Sequence, residues 1–161
     1  MAEKKSKRRR HRKKPEKLER LRRKIEQGPY KDYQFLPASD DAEKMSVILR
    51  KFVEPYIEYT DSEESYRKLI TLAVMAWNVS LLPEKDGQFL IDGVFEKGLP
   101  NRDTELIAGL REIVDSLVAR KKAYFSKYRR QIIDFDVQDL GDHYYISVAS
   151  TIEDDGSQGT E

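Results

Sequence analysis

"QIIDFDVQDLGDHYYISVAST", residues 131–151, decides the fold class. Before it, apolar residues recur every three or four positions. Within it they recur every two: Ile133, Phe135 and Val137 alternate with Asp134, Asp136 and Gln138, and Tyr144, Ile146 and Val148 keep the same rhythm. Period two marks a half-buried strand. The segment 139–142, with Gly141, supplies the turn, so the stretch reads as a β-hairpin. Asp134 and Asp136 share one face of their strand. Such a pair suits a hard divalent cation, but alternation alone accounts for it as a solvated outer face. No metal ligand is assigned. His143 stands at a strand start and His11 in a basic run; neither has the partners of a zinc site or a catalytic triad.

Working backward, Leu106, Ile107, Leu110, Ile113, Val114, Leu117 and Val118 repeat with helical spacing over about 102–125, and Arg120, Lys121 and Lys122 complement the helix dipole at its end. A weaker helix covers 84–96, with Phe89, Leu90, Val94 and Phe95 expected inside and Gly93 interrupting it. The most apolar run, "LAVMAWNVSLL" at 72–82, ends a helix expected over 62–82, capped by Asp61 with Glu64 as its box partner. Being apolar on most sides, this helix is expected at the centre of the bundle. Its Asn78 reads as a hydrogen-bonded core amide fixing helix register, with a ligand contact as the alternative. A further helix over 40–54 begins at Asp40 with Glu43, presents Met45, Ile48, Leu49, Phe52 and Val53 on one face, and is ended or bent by Pro55.

These patterns predict an α+β fold, mainly helical, with about four helices packed together and then a C-terminal β-hairpin. The expected domain is 40–152, followed by a frayed acidic tail at 153–161. Its core should include Ile48, Leu49, Phe52, Leu69, Ala73, Trp77, Leu81, Leu110, Ile113, Leu117, Phe135 and Ile146. Residues 29–39 are expected to form an aromatic strap, with Tyr33, Phe35 and Leu36 packing on the domain. "LAVMAWNVSLLPE" and "DFDVQDLGDHYYISVAS" together resemble a group of small uncharacterised bacterial proteins over about 40–152, which implies a bacterial source and carries over no functional residue.

The first 28 residues are different in kind. They hold 14 Lys or Arg against 4 Glu, whereas the rest of the chain holds 16 of the 30 basic residues and 25 of the 29 acidic ones. A basic arm is thus joined to an acidic body, a division that the net charge of +1 conceals. Like charges should keep residues 1–14 disordered. Pro15 suits a first helical turn. Over 15–27, Leu18, Leu21 and Ile25 make one thin apolar stripe, so that helix is expected to form on binding a partner or on docking against the domain.

The arm's density of cations points to a polyanion, bound through phosphate neutralisation without sequence specificity. The expected contacts are Lys4, Lys5, Lys7, Arg8, Arg9, Arg10, Arg12, Lys13 and Lys14, with Arg20, Arg22, Arg23 and Lys24. RNA or a ribonucleoprotein is favoured, because arginine-rich segments fold on RNA. No aromatic residue precedes Tyr30, so base stacking is not indicated. An acidic protein surface, or the chain's own acidic body, is the competing partner. An anionic membrane surface would call for aromatic anchors that the helix lacks, and a nuclear address requires a eukaryotic source.

The chain has no cysteine, which excludes disulfides and thiolate chemistry. It has no phosphate-binding glycine loop and no metalloprotease motif. No cofactor and no enzymatic activity are expected. With no secretory signal and no membrane span, a cytoplasmic location is expected. The two open edges of a lone hairpin invite a homodimer, unless the strap or the nearby Lys127, Arg129 and Arg130 protect them. The reading is a non-enzymatic accessory protein whose arm contacts nucleic acid; the alternative is an interaction module whose helical domain binds a protein partner while the arm docks on an acidic surface.

Overall fold

A computed structural model describes residues 19–29, 32, 44–97 and 103–151. The apolar segment around Trp77 lies in helix α3 (Glu63–Ser80), and the other elements gather on it. Before it come α1 (19–26), α2 (Met45–Val53) and a 3-10 helix (Glu54–Tyr59); after it come α4 (Glu84–Lys97), α5 (Thr104–Tyr124), β1 (Ile132–Asp139) and β2 (Tyr144–Ser150). The fold is mainly helical with a C-terminal antiparallel hairpin, as its periodicities predict, but with five α-helices among the described residues instead of four. The additional helix is α1, part of the basic arm.

Helix α3 buries Tyr66, Leu69, Ile70, Ala73, Ala76, Trp77 and Val79 and packs against α2, α4, α5 and β1. Phe52 of α2 meets Trp77 edge-on at 5.3 Å and Phe125 at 5.4 Å, an arrangement aromatic quadrupoles favour. Arg120 of α5 donates to the carbonyls of Phe52 and Lys51 at 2.9 and 3.2 Å, satisfying acceptors that the end of α2 leaves open. Strand β2 lies against α2, and Tyr66 stacks on Tyr144 at 4.6 Å. Of the expected core, Leu81, Leu110, Ile113 and Phe135 are half-buried and the rest are buried.

Several expectations are corrected. The N-cap of α3 is Ser62, which exchanges hydrogen bonds with Ser65 in a capping box; the shorter serine pair takes the place of Asp61 and Glu64. The α-helix does end just before Pro55, at Val53, but the chain then tightens into a 3-10 turn with that proline in its first turn, where its missing N–H costs nothing. Helix α4 turns Gly87, Ile91 and Phe95 inward and leaves Phe89, Leu90 and Val94 exposed. A Cβ on Gly87 would stand 2.9 Å from Val79 Cγ1 and 3.0 Å from its carbonyl oxygen. The bare glycine therefore lets α4 approach α3 closely, and this contact selects the buried stripe. In β1, a register shift between Ile132 and Asp134 puts Ile132, 2% exposed, into the core in place of Ile133, as a bulge does. Gly141 takes φ +95° in the hairpin turn, a conformation that suits glycine.

Asn78 explains how the hairpin is fastened. Its side-chain oxygen accepts from the Ile132 N–H at 2.9 Å, and its amide nitrogen donates to the Ile132 carbonyl at 2.8 Å. One side chain thus pairs with the strand as a neighbouring strand would. Trp77 Nε1 donates to the Arg130 carbonyl at 2.8 Å just upstream. The Phe135 carbonyl is taken by Lys24 at 3.1 Å and the Val137 carbonyl by Arg67 at 2.6 Å. The outer edge of β1 is therefore occupied by side chains at these points, and on β2 the Tyr144 carbonyl is taken by Arg50 at 2.9 Å.

The arm residues 4–14, the strap residues Tyr33, Phe35 and Leu36, the residues Asp40–Glu43 and the tail at 153–161 lie outside the described residues; α2 itself begins at Met45 with Lys44 as its N-cap, in place of the start expected at Asp40. Among the described residues, no helix is long and apolar enough to cross a membrane.

Candidate polyanion-binding arm and its root

The thin stripe of α1 finds its cover within the chain. Leu21 and Ile25 are 3% and 4% exposed. One residue before each stands a cation that grips the hairpin. Arg20 Nε lies 3.1 Å from Asp136 Oδ2. Lys24 Nζ lies 3.0 Å from Asp134 Oδ1, donates to the Phe135 carbonyl and sits 5.4 Å from the Phe135 ring centre. A spacing of four residues puts Arg20 and Lys24 on one helix face. A spacing of two puts Asp134 and Asp136 on one strand face. The two patterns mate, and α1 is held as a docked helix.

Asp136 is the centre of this contact. It is 6% exposed, and its other oxygen, Oδ1, lies 3.3 Å from Arg67 Nη1 of α3. Arg67 also reaches Glu63 at 3.2 Å. A carboxylate can be buried when cations and hydrogen bonds replace its hydration; here two guanidiniums do so, one from the arm and one from the body. The face expected to be solvated is thus covered. The cover is imperfect: Ser147 Oγ, on the residue paired with Asp136, and Gln138 Oε1 are buried without a partner among the described residues.

The cations of α1 divide into two sets. Arg20 and Lys24 are engaged with β1. Arg22 and Arg23 remain largely exposed, at 60% and 74%, and pair along the helix with Glu26 at 3.2 Å and Glu19 at 3.8 Å. Exposed pairs of this kind exchange readily with a competing anion, since each is worth only about 0.5 kcal/mol. Of the thirteen residues named as phosphate contacts, the structure describes these four.

Among the described residues, no group of three or more His, Asp or Glu side chains could hold a metal ion. His143 Nδ1 lies 2.7 Å from Asp142 Oδ1 in the exposed hairpin turn, a contact between chain neighbours. Arg67 is the participant that sequence reasoning missed. In the sequence it stands beside Glu63, Glu64 and Lys68 as one of several charges in the first turns of α3, and no local pattern singles it out.

The chain matches no family model, no curated protein and no solved structure.

Proposed function

We propose that this protein is a non-enzymatic accessory factor that binds nucleic acid through its basic arm, with RNA or a ribonucleoprotein favoured over a specific DNA site. The observation that supports the reading is the division of cations on α1. Arg20 and Lys24 fix the root of the arm to the hairpin, while Arg22 and Arg23 face outward and the nine basic residues between Lys4 and Lys14 lead directly into that root. An anchored arm presents its charges from a defined point on the body. Electrostatic binding of this kind is sequence-tolerant and steeply salt-dependent.

The test is binding of single-stranded RNA and duplex DNA at several salt concentrations. The full chain is compared with a chain starting at Pro15, which keeps α1 and its grip on Asp134 and Asp136. If all nine arm cations contact a single strand, log K should fall against log salt with a slope of about −6. Loss of most affinity and of most of that slope in the shortened chain supports the reading. Equal binding by both chains, or none by either at low salt, refutes it.

A second reading has one observation in its favour. Helix α4 leaves Phe89 77% exposed, with Leu90 and Val94 beside it at 48% and 44%. A cluster of this kind on one helix suits a protein partner. On that reading a defined partner would be retained by the chain starting at Pro15 and lost on Phe89→Glu.

A further inference from the structure

The body has a basic region of its own, remote in sequence from the arm. Between Ser116 and Ile133 there are six Lys or Arg residues and no Asp or Glu, within a body whose overall charge is strongly negative. Arg120 is committed to the carbonyls of α2. Lys121 is 3% exposed, and its ammonium donates to the carbonyls of Phe125 and Tyr128, both at 2.8 Å, and lies 4.4 Å from the Trp77 ring centre. These partners satisfy its hydrogen bonds, but none carries a negative charge.

Beside this buried cation, a cleft of about 470 Å³ opens between the ends of α3 and α5. It is lined by Ser80, Leu81, Lys121, Lys122, Ser126 and Arg129. Three of these six side chains are cations and none is an acid. Lysines in the last turn of a helix are ordinary, because they complement its dipole; that accounts for Lys121 and Lys122. It does not account for Arg129, which stands beyond the helix end, is exposed, and is close enough to help depress the Lys121 pKa, after burial itself. Among the described residues no carboxylate pairs with Arg129 or Lys122. Like charges gathered around a concave, acid-free site repel one another, and an anion would relieve the repulsion.

We propose that this cleft is a phosphate-binding site. Lys122 and Arg129 contact the phosphate oxygens, Ser126 offers a hydroxyl, and Lys121 supplies charge from behind. A guanidinium, an ammonium and a hydroxyl converging on one concavity are the usual donors for a phosphate group. The phosphate can belong to a nucleic-acid backbone or to a small phosphorylated molecule. The site is independent of the arm.

Trp77 is the only tryptophan, and it lies directly behind Lys121, so its fluorescence reports on the cleft. The experiment titrates pyrophosphate into the full chain at constant ionic strength, set with chloride. A saturable change in Trp77 emission is expected. Arg129→Glu should weaken it by about tenfold or more, as loss of a charge-assisted contact does, and Arg129→Lys should weaken it less. Circular dichroism checks that the variants fold. The chain starting at Pro15, which lacks the nine cations between Lys4 and Lys14, should leave this titration unchanged, which separates the site from the arm. Competition by a short single-stranded RNA assigns the phosphate to a strand backbone; saturable pyrophosphate binding without competition assigns it to a small phosphorylated molecule. The proposal is overturned by the absence of a saturable response, or by an Arg129→Glu chain that titrates like the original.

Discussion

Asn78 offers the sharpest test of how the hairpin is joined to the helices. Its amide makes two hydrogen bonds to Ile132, one through each of its polar atoms. Asn78→Leu keeps the approximate volume and removes both. A buried backbone group left without a partner costs about 1–3 kcal/mol. Two such groups would cost about 4 kcal/mol; water reaching the half-buried position of Asn78 lowers this to about 3 kcal/mol, still a large share of the roughly 5–15 kcal/mol that holds a domain together. Asn78→Asp makes the argument more specific. Its carboxylate still accepts from the Ile132 N–H but cannot donate to the carbonyl, and its charge faces that oxygen. Protonation restores a donor. The folded-state pKa of this new carboxyl should therefore be raised, so its deficit is present at neutral pH and shrinks as pH falls through that raised value. Urea unfolding at several pH values measures this, with each variant compared with the original chain at the same pH to cancel the other acids. If Asn78→Leu lies within 1 kcal/mol of the original chain, or the Asn78→Asp deficit does not shrink on acidification, Asn78 does not hold the hairpin by its two hydrogen bonds.

Other outcomes follow from the same geometry. Asp136→Asn removes the charge shared by Arg20 and Arg67; with Arg20 more than half exposed, the expected loss is about 2 kcal/mol, between the values for surface and buried pairs. Amide exchange should then rise first in residues 20–26, and raising salt in the original chain should act in the same direction. Gly87→Ala places a Cβ against the Val79 side chain and carbonyl and should destabilise by about 1–3 kcal/mol, whereas Gly93→Ala, with open space around it, should stabilise α4 by a few tenths up to about 1 kcal/mol. The pKa of Lys121 is lowered by burial and by Arg129, so the unfolded chain binds the proton more tightly. The contribution of this group to stability should accordingly rise with pH between its lowered folded value and the ordinary lysine range. Lys121→Met should remove that rise in denaturant titrations while costing stability at neutral pH, since the Phe125 and Tyr128 carbonyls lose their donor.

The sequence by itself determined the elements. Helical spacing around Trp77, the change to period two after Gln131 and the glycine at position 141 are local patterns, and local sterics and burial impose the corresponding backbone on them. It also determined that the chain is electrically divided, because charge is additive along a sequence. Tertiary structure decided what each face meets. Helix α4 is apolar on two sides, and only the bare Gly87 against Val79 shows which side turns inward. The bulge that exchanges Ile133 for Ile132 depends on the register of a strand pair and on Asn78. Asp134 and Asp136 look like a solvated pair until Arg20, Lys24 and Arg67 arrive, from positions about 110 and 70 residues away in the chain. The cleft at the ends of α3 and α5 exists only where Ser80 and Arg129 come together. Periodicity is a property of neighbours along the chain, whereas the partner of a charge is set by the packing of distant segments; that is why the helices and strands were legible in advance and the surfaces they share were not.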